Sequence, residues 1–139
     1  MEAVLLIGIQ ASGKTTFYQQ RFFATHVRIS LDLLRTREGE SALVETCLRM
    51  QQRFVVDNAN ATAAERARYI LPSRAAGFRV IGYFFEPGRK PANLKRLEPP
   101  KRSEGFDELY RVWISRPGEF SLDALDPAAR AMDIAPRLP

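Results

Sequence analysis

The N-terminal residues 3–8, AVLLIG, form a continuous apolar run that stops at a glycine. A run without alternation suits a strand buried on both faces of a sheet. After a short glycine-containing stretch, KTTFYQQRFFA places Tyr18 and Phe22 one helical turn apart, which predicts a helix starting at that stretch. HVRIS reads as a short second strand. LDLLRTREGESALVETCLRMQQ reads as helical with a break near Gly39. Residues 53–58, RFVVDN, are rich in β-branched side chains and predict a third strand. Thr62 and Glu65 have capping-box spacing, so a helix begins there, runs to about Ala76 and stops at Gly77, with Pro72 interrupting it. RVIGYFF is a fourth strand.

Strand and helix thus alternate, the signature of a parallel sheet with helices on both faces. The pattern then changes. Residues 86–105 hold four prolines, two glycines and six basic residues, which excludes a central strand or a long helix. We read 86–102 as an exposed basic loop. ELYRVWIS returns to a strand that takes in Tyr110, Val112 and Trp113, and GEFSLDAL adds an edge strand. Residues 1–126 form one domain, and 127–139 a loosely held tail.

Composition changes this picture little. With 139 residues, 45% of them apolar and 27% charged, the chain reads as one soluble globular domain. Its net charge of +5 favours anionic partners such as nucleotides or nucleic acid. The single cysteine, Cys47, excludes an internal disulfide and lies among Leu43, Val44 and Leu48 as a small core residue. No run is long enough for a transmembrane helix and no signal peptide precedes the first strand, so the expectation is a cytoplasmic protein with no membrane partner.

The chemistry enters at GIQASGKTT. Gly8, Gly13, Lys14 and Thr15 have the spacing of a P-loop, between a strand and a helix. Small residues let successive backbone N–H groups face a triphosphate, and the helix N-terminus adds its positive end. The expected ATP-binding residues are Gly8, Gln10, Ala11, Ser12, Gly13, Lys14, Thr15 and Thr16. Lys14 would meet the β- and γ-phosphates, and the Thr15 hydroxyl would bind Mg²⁺. The cofactors implied are ATP and Mg²⁺.

A kinase acting on an alcohol also needs a proton acceptor. Asp32, just after HVRIS, and Asp57, ending FVVD, should both stand at the carboxyl edge of the sheet, facing the loop. Asp32 could equally cap a helix, and Asp57 could be a turn residue. Arg35 follows Asp32 by one helical turn and would share its face, where it could clamp an acceptor phosphate or simply be solvated. His26, the only histidine, lies at a strand start without nearby acids. Phe17, Phe22 and Phe23 read as core or packing surface, and Arg66, Arg68 and Arg74 as the solvated face of their helix.

Three segments, GIQASGKTTF, RISLDLLR and FVVDNANATAAERARYILPSRAAGFRV, resemble the kinase domain of polynucleotide 5′-hydroxyl kinases. The look is closest to small stand-alone bacterial ATP-binding members of that family. The resemblance spans most of residues 4–85 and implies a P-loop NTPase three-layer α/β sandwich with a five-stranded parallel sheet in the order 2-3-1-4-5. It implies that Asp32 is the general base on the 5′-hydroxyl, that Arg35 contacts the acceptor's phosphate and that Asp57 positions the acceptor. Two departures stand out. Ser30-Leu31 replaces the family's Asn-Arg before the aspartate. The lid after the fourth strand is short and proline-rich, with only Lys95 and Arg96 to stand in for an arginine on the transferring phosphate.

The activity implied is transfer of the ATP γ-phosphate to a hydroxyl, with nucleic-acid 5′-hydroxyl ends as a candidate partner. A small-molecule or toxin-type kinase, and an ATP-binding module that does not catalyse, are the alternatives. No base-stacking platform is evident, and no protein partner is predictable.

Overall fold

The computed structural model describes residues 1–10, 12–86 and 97–125. Ala11, Lys95, Arg96, most of the expected lid and the 127–139 tail lie outside the described residues. The elements in chain order are β1 (Glu2–Ile7), α1 (Lys14–Arg21), β2 (Val27–Ile29), α2 (Leu31–Leu34), α3 (Arg37–Met50), β3 (Phe54–Asp57), α4 (Ala63–Ala75), β4 (Arg79–Phe85), β5 (Glu108–Arg116) and β6 (Glu119–Ala124). A 3-10 turn, Arg102–Glu104, precedes β5.

The sheet runs β2-β3-β1-β4-β5-β6. Its first five strands are parallel in the expected order. The sixth, beyond the five that the resemblance implied, is the edge strand expected from GEFSLDAL. GEFSLDAL folds back antiparallel on β5, as a tight turn at Gly118 allows.

β1 lies at the centre, and its unalternating run is explained by burial on both faces. Ala3, Leu5 and Ile7 pack with Val44, Cys47, Tyr69 and Ile70 of α3 and α4. Val4 and Leu6 pack on the other side with Phe17, Tyr18 and Phe22. Phe17 meets Tyr83, Phe85 and Phe120 at centroid distances of 5.0–5.2 Å, two of the contacts edge-on. Phe23, by contrast, is exposed.

Three local expectations change. The helical break falls at Arg35 and Thr36, not near Gly39. Thr36 Oγ1 accepts from the Gly39 N–H at 3.0 Å and starts α3, so the glycine sits inside the first turn. The Thr62 cap forms as expected, accepting from Glu65 N at 3.2 Å, but the Glu65 carboxylate reaches back to Ala61 N at 3.0 Å instead of the cap residue itself. The helix then continues through Pro72. His26 does have an acidic neighbour. Its Nε2 lies 2.8 Å from Glu2 Oε1, while burial pushes the imidazole pKa down against that partner's pull.

The largest correction concerns Arg66, which is fully buried. Its Nε and Nη2 donate to the two carboxylate oxygens of Glu104 at 2.8 and 3.0 Å, and Nη1 donates to the carbonyls of Asn60 and Glu98 at 2.9 and 3.0 Å. The side chain thus joins three segments below the carboxyl edge of the sheet. Arg68 is exposed, as expected, and Arg74 is half exposed and paired with Asp107. Among the described residues no helix is long and apolar enough to cross a membrane.

Candidate active site

β1 ends at Ile7 and delivers the chain into the glycine-bounded loop at the carboxyl edge of the sheet. Gly8 N donates to Ala59 O at 3.0 Å, which ties the loop to the segment after β3. A Cβ on Gly8 would lie 3.0 Å from the Phe85 Cβ, so the loop passes too close to β4 for a side chain. Gly13 has φ 95° and begins α1 with no side-chain cap. It is covered by the β5–β6 hairpin, whose Phe120 Cε1 would stand 3.0 Å from a Cβ there. Both glycines are therefore required by geometry.

Lys14 Nζ donates to Gly8 O at 2.8 Å and Ile9 O at 2.9 Å, folding the loop around its own ammonium. Burial lowers the Lys14 pKa, and the carboxylates of Asp57 and Asp32 oppose that. Ser12 Oγ, inside the loop, is buried and has no hydrogen-bond partner among the described residues. The loop therefore carries an open hydrogen-bonding group as well as an uncapped helix start, which fits an oxygen-rich ligand.

A cavity of about 500 Å³ opens above the loop and is lined by Gln10, Gly13, Lys14, Thr15 and Thr16 from that side. Arg28, Leu31, Asp32, Asp57, Asn58 and Ala59 line it from β2, α2 and the end of β3. The structure therefore brings Asp32 and Asp57 to the same cavity as Lys14 and Thr15. The Thr15 hydroxyl donates to Asp57 Oδ2 at 3.0 Å. Two hard oxygens side by side suit Mg²⁺, which takes few protein ligands and completes its shell with water and phosphate oxygens. Among the described residues no group of three or more His, Cys, Asp or Glu could hold a metal by itself.

Arg35 is not brought in. α2 is only one turn long, and Arg35 ends it in the left-handed conformation with φ 70°. It is exposed and does not line the cavity, so the shared helical face expected for Asp32 and Arg35 does not form. Asp32 is the second residue of α2, with Ser30 at the capping position.

Sequence reasoning missed two groups. Arg28, on β2, donates from Nε to Asp57 Oδ2 at 2.9 Å. Its signal was a lone charge inside an otherwise apolar strand. Asn58 is the hub of the second group. Its Oδ1 accepts from Leu31 N at 2.9 Å, which fixes the start of α2 and hence the placement of Asp32. Its Nδ2 donates to Glu40 Oε2 at 2.6 Å. Glu40 is fully buried and also accepts from Tyr69 Oη at 2.7 Å and Arg37 Nη1 at 3.0 Å. Burial and the Glu40 carboxylate push the Tyr69 phenol up to about 12. Replacing Tyr69 by Phe should cost about 1–2 kcal/mol, because Glu40 loses a donor where no water replaces it. Urea unfolding would read this as a lower midpoint at unchanged slope. An unchanged midpoint would show that the network adds nothing to stability.

No family model matches the chain. Among solved structures it is similar to the Mycobacterium tuberculosis APS kinase CysC in complex with AMPPNP and APS, with a TM-score of 0.55, 15% identity and 97% of each chain covered. It is also similar to the crystal structure of APE1195, with a TM-score of 0.52, 16% identity, and 73% of this chain and 80% of that chain covered. At such identities the likeness is one of fold alone.

Proposed function

We propose that the protein is an ATP-dependent kinase that moves the γ-phosphate of ATP·Mg²⁺ to a hydroxyl acceptor. The observation that carries this is the convergence on one cavity of Lys14, Asp32 and the Thr15–Asp57 pair. A loop without the two carboxylates would only bind nucleotide. Here a base and a metal-side carboxylate stand beside it. A fold neighbour solved in complex with AMPPNP and APS supports nucleotide binding on this scaffold.

Each residue then has a part. The loop from Gly8 to Thr16, with Gln10, Ser12 and Gly13, cradles the phosphates. Lys14 turns from the Gly8 and Ile9 carbonyls to the phosphate oxygens. Thr15 and Asp57 hold Mg²⁺, which when bound neutralises charge on the phosphates. Asp32 takes the hydroxyl proton as the acceptor oxygen bonds to the γ-phosphorus and the bond to the ADP oxygen breaks. Residues 1–126 act as one domain in this reading. The acceptor suggested by RISLDLLR and the segment from Asp57 onward is a polynucleotide 5′-hydroxyl end.

The test incubates γ-labelled ATP, Mg²⁺ and 5′-hydroxyl DNA and RNA oligonucleotides with the protein. Label on the oligonucleotide is the expected result. ATP binding without label on any hydroxyl compound would reduce the protein to a nucleotide-binding module. Lys14→Ala should weaken ATP binding about 10- to 100-fold, the worth of a hydrogen bond to a charged group, in equilibrium titration. A variant that binds as tightly as the parent would place the nucleotide elsewhere.

A further inference from the structure

The chemistry above uses Lys14, Thr15, Asp57 and Asp32 and leaves Arg28 without a part. Yet among the described residues Arg28 is one of two cations that line the cavity, the other being Lys14. Its side chain keeps about 27% of its surface exposed, and it lines the cavity together with Leu31 and Asp32. Its Nε is committed to Asp57 Oδ2 at 2.9 Å. Among the described residues no other hydrogen bond from the guanidinium is present, so the edge carrying Nη1 and Nη2 is open.

That geometry has a specific chemical meaning. A guanidinium pinned through Nε presents its Nη pair as a flat fork, matched to two oxygens of one phosphate-type anion. Asp57 fixes the plane of that fork. β2 places Arg28 four residues before Asp32, and both side chains look into the same space. A hydroxyl brought to Asp32 would hold an oxyanion a few bonds away against Arg28. Arg35 ends α2 and is not among the residues that line the cavity.

We propose that Arg28 is an acceptor clamp, and that the acceptor is a hydroxyl compound with a phosphate-type oxyanion close to the hydroxyl. The word acceptor rests on the kinase reading, whereas the anion site rests on Arg28 alone. Two sources share this chemistry: a small phosphorylated alcohol and the end of a nucleic acid.

The test is calorimetric binding to the whole chain, with AMPPNP and Mg²⁺ present to fill the loop. The probes are thymidine 3′-monophosphate against thymidine, and glycerol 3-phosphate against glycerol. The parent should prefer the phosphorylated partner by about tenfold or more in at least one pair. Arg28→Gln should bring that preference below about threefold, and Arg28→Lys should keep part of it, with AMPPNP still bound by each variant as the sign that the loop is intact. A preference in the glycerol pair assigns a small phosphorylated alcohol. A preference in the thymidine pair alone assigns a nucleic-acid end.

No preference in the parent, survival of the preference in Arg28→Gln, or its loss in Arg35→Gln instead, would overturn the clamp. If Arg28→Gln does not fold, Arg28→Lys decides, since an unchanged preference there sinks the idea. Should AMPPNP fail to bind or no hydroxyl be labelled, the kinase reading falls. The same probes, run without nucleotide, still judge Arg28.

Discussion

Arg66→Ala is expected to lower stability by about 3–5 kcal/mol, enough to reduce the melting temperature by ~10 °C or more. The side chain is fully buried and makes four hydrogen bonds. Its removal leaves the Glu104 carboxylate largely shielded and unpaired, strips a donor from the carbonyls of Asn60 and Glu98, and opens a cavity the size of the lost side chain. Because much of the cost comes from the stranded Glu104, a double variant with Arg66→Met and Glu104→Met should recover a good part of it. Thermal and urea unfolding of the parent, the single and the double variant would check this. A single-variant loss under about 1 kcal/mol would mean that the pair is dispensable, contrary to its burial.

Asp32→Asn is expected to slow phosphoryl transfer roughly 10²–10⁴-fold, the usual contribution of a positioned base, with ATP binding little changed. The amide keeps the shape and much of the hydrogen bonding but cannot take a proton. Asp32 lines the cavity from α2, whose start is held by the bond from Leu31 N to Asn58, and it makes no hydrogen bond to the loop among the described residues, so the substitution should leave the loop in place. Single-turnover transfer of labelled phosphate, measured beside ATP titration, separates the two effects. A transfer rate within threefold of the parent would remove Asp32 from the role of base.

These two residues also mark what could be read in the sequence. The loop was legible because its chemistry is local. Gly8, Gly13, Lys14 and Thr15 act together over one short span, and the apolar run before them could only be a central strand. The parallel strand order followed the resemblance, and the strand-end aspartates reached the cavity because strand ends in such a sheet share one edge. Arg66 was not legible. Its helical spacing looks solvated, and what buries it is Glu104, beyond β4. Arg28 was hidden for the same reason, since its partner Asp57 lies on a different strand. Arg35 misled because the one-turn helix was taken to continue, when Thr36 caps a new helix at that point. For Arg66 and Arg28 the missing information was a contact distant in sequence, which periodicity does not encode, whereas Arg35 turned on the local cap at Thr36.

The hairpin that covers the phosphate loop has a consequence for how the chain is made. The loop motif is complete by Thr16, but the surface that closes over Gly13 comes from Phe120 and Ile114, much later in the chain. Gln20 of the first helix likewise donates to Gly118 O at 2.7 Å. A nascent chain therefore carries the phosphate-binding residues long before it can shelter them, and a product cut short ahead of β6 would keep the motif with its flank bare. Closing such distant ends is the slow part of folding for a topology of this kind. The sheltered form of the loop should therefore arrive with β6, although the loop itself follows directly on β1.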